Sequence, residues 1–168
     1  MVSGPVDARA VAETVTDPEL PMLTLADLGV LREVSEHDGR VAVTITPTYT
    51  GCPALETMRD DLRHALRDAG YREVEVRLAL RPPWTTDWIT PAGRRKLAEA
   101  GIAPPAAAPR TPSAGPIPLA LGSTVVAVPC PRCDSTDTVE LSRFSSTACK
   151  ALYRCRWCHE PFEHVKEI

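Results

Sequence analysis

Between Ala103 and Pro118 the chain reads APPAAAPRTPSAGPIP, six prolines in sixteen residues, and this stretch rules out a single core running through the whole sequence. Proline has no backbone N–H and a fixed φ, so neither a helix interior nor an inner strand can pass through such a segment. It reads as a semi-extended linker, and what lies on either side must fold as separate modules. We assign residues 1–102 to an N-terminal domain, 103–123 to the linker and 124–168 to a small C-terminal module.

The C-terminal module carries Cys130-Pro-Arg-Cys133 and Cys155-Arg-Trp-Cys158, two C-x2-C knuckles with 21 residues between them. Each knuckle can present two thiolates, and together they complete a tetrahedral all-sulfur site suited to structural zinc in a ribbon. Two disulfides would need an oxidising compartment, whereas the N-terminus has neither the apolar core nor the cleavage signal of a secretory leader. A rubredoxin-like iron site or an iron-sulfur cluster uses the same ligands and stays open at this point. Four protein ligands leave no position for water or substrate, so the metal is expected to stabilise a segment too small to bury much core. Cys149 is surplus to such a set: either a small buried hydrophobe or a functional thiol. His159 and His164, which follow the second knuckle, are expected at the surface or behind the ligands.

The N-terminal residues alternate between helical and strand periodicities. Val6, Ala10, Val11 and Val15 have helical spacing and place a helix over Pro5–Val15, followed by a turn or short helix at Thr24–Leu28. Val30–Ser35 and Arg40–Thr46 flank an Asp-Gly turn and form a hairpin. Leu55, Met58, Leu62, Ala65, Leu66 and Ala69 mark the inward stripe of a long helix entered by Pro53 and ended by Gly70. The strand Glu73–Leu80 completes a right-handed crossover, which would set it parallel to the strand before the helix. Thr90-Pro91 then caps a helix ending at Gly101. The fold class is α/β in the α+β sense: a small mixed sheet of three to four strands with helices on one face, plus the ribbon.

Cys52, in Thr48-Tyr-Thr-Gly-Cys-Pro-Ala54, falls where the second strand gives way to the long helix. A helix N-terminus favours the thiolate, hence nucleophilicity or metal binding; packing of the helix start is the plainer role. Asp17 and Asp27 are turn and capping residues by default, and together with Glu19 they could converge on Cys52 as an open oxygen-and-thiolate site. Trp84 and Trp88, in a proline-rich loop, read either as partner-docking anchors or as a loop folded over the sheet.

Asp17-Pro-Glu-Leu-Pro, Leu25-Ala-Asp-Leu-Gly29, Val41–Thr46, Thr50-Gly-Cys-Pro53 and Pro82-Pro-Trp-Thr85 resemble the iron-sulfur cluster assembly domain family over about residues 7–101. With the four-cysteine ribbon appended, the whole chain is similar to the branch of that family that accompanies bacterial phenylacetyl-CoA epoxidase. The resemblance implies a cytoplasmic accessory factor in aerobic phenylacetate degradation, with the oxygenase and reductase components of that di-iron enzyme as partners. Its cargo would be iron or an iron-sulfur cluster. Cys52 would be the transfer thiol, with Glu19, Asp27 and Thr50 around it, and Cys149 becomes a candidate extra thiol. A homodimer is compatible with the same reading.

Other classes fit less well. No glycine-rich phosphate loop, G-x-S-x-G elbow or H-E-x-x-H helix is present, so no turnover of its own is expected, and a Cys52 thiol enzyme lacks an identified base. No apolar run is long enough to span a bilayer. The net charge is −3, and from Thr124 onward six Lys and Arg face six Asp and Glu, so a nucleic-acid-reading ribbon lacks its basic footprint. A structural docking component of the oxygenase remains the main alternative to a maturation role.

Overall fold

A computed structural model describes residues 6–106 and 127–167, which divide into two compact units, one ending at Ala100 and the other running from Gly101 to Glu167. Helix α1 (Ala8–Ala12), strands β1 (Leu31–His37) and β2 (Arg40–Ile45), helix α2 (Leu55–Asp68), strand β3 (Glu73–Leu78) and helix α3 (Pro91–Glu99) build the first unit. Its sheet has the order β1-β2-β3, with β1 antiparallel and β3 parallel to β2, as the crossover rule requires.

The hairpin turns on Asp38 and Gly39, whose φ values of 51° and 74° match the right-handed twist of the flanking strands. Along β2 the alternation is clean: Val41, Val43 and Ile45 are fully buried. Met58, Leu62 and Leu66 form the buried stripe of α2. That helix ends in a Schellman arrangement, with Tyr71 N–H donating to Leu66 O and Gly70 N–H to Arg67 O.

Helices α1 and α2 and strand β3 depart from their expected bounds. Helix α1 is five residues long, capped by the Asp7 side chain, and not the Pro5–Val15 span. Beyond Ala12 the chain tightens into i→i−3 bonds, and Val15 C=O turns to accept Leu25 N–H. Helix α2 starts at Leu55, two residues past Pro53, with no side-chain cap. Strand β3 stops at Leu78 rather than at the expected Leu80, and Leu78 and Leu80 are 44% and 46% exposed.

Helix α3 packs on the Thr24–Gly29 turn: Thr90 N–H donates to Asp27 O, and a Cβ on Gly93 would stand 2.8 Å from that oxygen. Gly29 is the tightest point, since its φ is +69° and a Cβ there would meet Trp88 Cβ and carbonyl oxygen at 2.6 Å. Gly29→Ala is therefore expected to cost about 2–3 kcal/mol through backbone strain and overpacking, measurable as a lowered unfolding midpoint in urea.

The second unit is a four-stranded sheet, order β4-β7-β6-β5, from β4 (Ile102–Ala103), β5 (Thr138–Ser142), β6 (Lys150–Cys155) and β7 (Pro161–Val165). Strand β4 runs parallel to β7, pairing Ile102 with Glu163 and Ala103 with His164. Residues at the expected domain–linker boundary thus belong to the ribbon's own sheet, a long-range pairing that composition does not reveal. From residue 107 the expected linker lies outside the described residues, as do 124–126. Ala103, Val128, Cys130, Cys155 and Phe162 form the core of this unit. No helix among the described residues is long and apolar enough to cross a membrane.

Candidate metal centre and the Cys52 loop

The two knuckles are built alike. Cys130 N–H donates to Ser135 O and Cys155 N–H to Glu160 O, both at 3.0 Å. The residue after each second cysteine, Asp134 or His159, takes a left-handed φ of 57° or 62°. This repeated turn aims two sulfurs from each knuckle at one point. The Cys130 and Cys158 sulfurs are 3.7 Å apart and those of Cys133 and Cys155 3.6 Å. Four sulfurs at about 2.3 Å from a central ion would lie about 3.8 Å from one another, so the cage fits a tetrahedral thiolate-bound metal.

Main-chain donors prepare it. The backbone N–H of Cys158 brings the Cys155 thiol down to about 7 against the opposing effect of burial. The Ser135 N–H favours the Cys133 thiolate, but burial and the neighbouring thiols outweigh it and push that group up to about 12. Cys130 and Cys155 are fully buried, and all four ligand positions are filled by protein. His159 is an exposed turn residue, and His164 is buried with Nδ1 3.2 Å from Ala103 O, so neither joins the sulfur set.

Cys149 lies at the far end of β6, about 20 Å from Cys155 by strand rise, and so is no substitute ligand. It is buried, with Sγ 3.1 Å from Thr147 Oγ1. The neighbouring Lys150 is only 4% exposed and donates to Glu163 at 2.7 Å, while the Ser145 and Ser146 hydroxyls donate to the same carboxylate. Burial would raise the Glu163 pKa, but Lys150 and the two serines bring it down to about 2. This cluster ties the β5–β6 loop to β7. Nothing in the linear sequence signals it, because the partners meet only through cross-strand register. Glu163→Gln is expected to cost about 3 kcal/mol by leaving the Lys150 ammonium buried without its counter-charge, read as a lower melting temperature of the metal-loaded chain. Replacing the pair together, Lys150→Met with Glu163→Leu, should recover part of that loss.

In the first unit the Cys52 loop follows the carboxyl end of β2, the side of a parallel α/β crossover where ligand sites commonly form. Cys52 is 8% exposed, its N–H donating to Tyr49 O and its C=O accepting Leu55 N–H, so two consecutive turns hold it three residues before α2. The chain is not yet helical there, which places the sulfur farther from the helix end than expected. Thr50 is exposed and Glu19 half-buried.

Both aspartates have structural partners. Asp17 Oδ1 accepts the N–H groups of Glu19 and Leu20 at 2.9 and 2.7 Å. Asp27 Oδ2 accepts Thr24 N–H at 3.0 Å and Lys96 Nζ at 2.6 Å. Burial would raise the Asp27 pKa, but Lys96 and Thr24 hold it below the ordinary carboxylate range. Among the described residues, only the four ribbon cysteines bring three or more potential ligand atoms within 4.8 Å of one another. The structure therefore does not gather Cys52, Glu19 and Asp27 into a closed cage.

Trp84 is a core residue rather than a surface anchor, 4% exposed with Nε1 donating to Leu28 O at 2.9 Å. Trp88 is half-buried, with the Arg32 guanidinium 3.5 Å over its ring. Trp157 stands in solvent, 78% exposed between Cys155 and Cys158, at a position that the knuckle spacing marks only as a spacer.

Family models match both units: an iron-sulfur cluster assembly protein over residues 6–78 and a PaaD zinc beta ribbon domain over residues 116–166. The chain is 44% identical over 159 residues to an Escherichia coli protein described as a putative component of 1,2-phenylacetyl-CoA epoxidase, covering 95% of this chain and 90% of that one. A Bacillus subtilis Fe-S protein maturation auxiliary factor is 36% identical over 77 residues, covering 45% of this chain and 74% of that one. Among solved structures, a Bacillus anthracis domain of unknown function aligns with a TM-score of 0.50 at 27% identity, over 54% of this chain and 87% of that domain. With an iron-sulfur assembly unit, a four-cysteine ribbon and likeness to the epoxidase component over nearly the whole chain, the protein belongs to the PaaD family of phenylacetyl-CoA epoxidase components.

Proposed function

We propose that this protein is a maturation factor for a phenylacetyl-CoA epoxidase, delivering iron or an iron-sulfur cluster to the oxygenase or its reductase and turning over no substrate of its own. The observation that carries this reading is Cys52, a sheltered thiol held by two turns at the carboxyl end of β2, in the unit that matches the iron-sulfur assembly family. A single thiolate outside any closed ligand cage suits a loosely held cargo, because open positions let a recipient's ligands enter before the donor's leaves. Such ligand exchange moves the cargo without net oxidation or reduction. The ribbon takes the complementary role: zinc in its closed four-sulfur cage stabilises the module and does no chemistry.

The likeness to the Escherichia coli epoxidase component and to maturation auxiliary factors supports the partner assignment. A cytoplasmic setting accords with six cysteines and no disulfide. To test the role, the oxygenase and reductase are produced with and without this chain, and their iron content and epoxidation rate compared. Equal metal loading and equal rates in the two preparations would rule it out. A second reading, a docking component that stays with the oxygenase, draws on the exposed Trp157. It requires co-purification in fixed ratio, and it predicts that Trp157→Ala releases the protein from the complex without lowering oxygenase iron.

A further inference from the structure

Strand β3 is an edge of the first unit's sheet, and no described strand pairs with its outer side. Ala79 N–H donates to Ile45 O of β2. Because main-chain direction alternates along a strand, Glu73, Glu75 and Arg77 turn their N–H and C=O groups towards β2, and Val74, Val76 and Leu78 turn theirs outward. Side chains alternate as well, so one face of β3 carries Glu73, Glu75 and Arg77 and the other Val74, Val76 and Leu78. Its register with β2 is unbroken over six residue pairs, whereas the opposite edge, β1, is interrupted by a bulge between Leu31 and Glu33. Bulges blunt an edge; a regular strand invites pairing. Leu78, and Leu80 beyond the strand end, leave apolar surface beside this open ladder.

We propose that β3 pairs antiparallel with β3 of a second copy of this chain, about a twofold axis at Val76, joining two three-stranded sheets into one of six strands. The choice of register follows from charge. With Val74, Val76 and Leu78 facing outward, allowed antiparallel registers differ by steps of two residues. Centring the twofold on Glu75 sets that carboxylate against its own copy, and centring it on Arg77 sets two guanidinium groups face to face. Centring it on Val76 sets Glu75 against Arg77 twice over, at the closely spaced positions where opposed side chains interact most strongly. The same register lays Leu78 beside Val74 of the copy and forms about six main-chain hydrogen bonds. Glu75 and Arg77 already pair within the strand at 2.7 Å, exposed to solvent, so the second copy extends an ion pair into a four-charge network.

The test uses the full chain in sedimentation equilibrium through the micromolar range, with circular dichroism to check folding. Wild type is expected to approach twice its 18.2 kDa mass as concentration rises. Arg77→Glu alone and Glu75→Arg alone should each weaken association on the order of tenfold or more, since both opposed pairs become repulsive. Mixing the two single variants should restore it, because each then meets the opposite charge, and the double reversal Glu75→Arg with Arg77→Glu should dimerise like wild type. A chain that stays at 18.2 kDa at every concentration overturns the proposal. So does a dimer indifferent to the single reversals, or single variants that ignore each other on mixing. Protection of β3 amides from hydrogen exchange only when the oxygenase is added would assign the edge to that partner, and would equally overturn self-pairing.

Discussion

Cys52→Ser is expected to abolish maturation while leaving the protein folded and its ribbon metal in place. Losing the only thiolate of the proposed transfer site should reduce iron delivery by at least the ten- to hundredfold that removal of a supporting residue costs a metal site. The replacement is nearly isosteric, and although Cys52 is buried it sits in a loop rather than beneath α2, so the accompanying loss of stability should stay near about 1 kcal/mol. Three measurements on the same preparation check this: oxygenase iron after co-production, zinc per chain, and the thermal midpoint. Unchanged oxygenase iron with Cys52→Ser would eliminate the thiol as carrier. A large fall in thermal midpoint would instead assign Cys52 to packing. Asp27→Asn provides a contrast, since Asp27 already binds Lys96 and Thr24; it should lower stability more than delivery.

Removing the ribbon metal should produce the largest structural effect in the molecule. Structural zinc sites bind with about 10–16 kcal/mol in small peptides, which equals or exceeds the whole net stability of an ordinary domain. The second unit's core is small, and two of its buried members are themselves ligands, Cys130 and Cys155. Chelation, or Cys130→Ala, should therefore collapse the amide dispersion of β5, β6 and β7 while the first unit, with its own buried residues on β2 and α2, keeps its spectrum. Heteronuclear NMR before and after chelator resolves the two outcomes. A ribbon that keeps its dispersion without metal would show that the Lys150–Glu163 cluster and the Phe162 core suffice, and would remove the stabilising role assigned to the ion.

Legibility in the sequence tracks how local the underlying physics is. The Asp38-Gly39 turn, the Val41/Val43/Ile45 alternation and the Met58/Leu62/Leu66 stripe are each decided within a few residues, and the fold contains all three. The gathering of the four ribbon cysteines is equally plain, because C-x2-C spacing directly encodes a two-sulfur knuckle. Trp84 is not. Whether a loop tryptophan anchors a partner or closes a core depends on what lies opposite its indole, here Leu28 C=O, 56 residues away. Helix α1 is shorter than its pattern because apolar spacing continues to Val15 while the Val15–Leu25 hydrogen bond pulls the chain out of the helix.

The sequence alone determined that two modules exist, that one gathers four cysteines, that the other is a β-hairpin and crossover, and that Cys52 sits at the strand-to-helix junction. These follow from composition, periodicity and short spacing, which act along the chain. Only the tertiary structure decided that Ile102 and Ala103 supply a strand to the ribbon, that Asp27 is taken by Lys96, that Lys150 is buried against Glu163, and that β3 leaves a self-complementary edge open. Each of these joins groups distant in the chain, and such pairings are selected by the burial and register of the folded sheet rather than by any local preference.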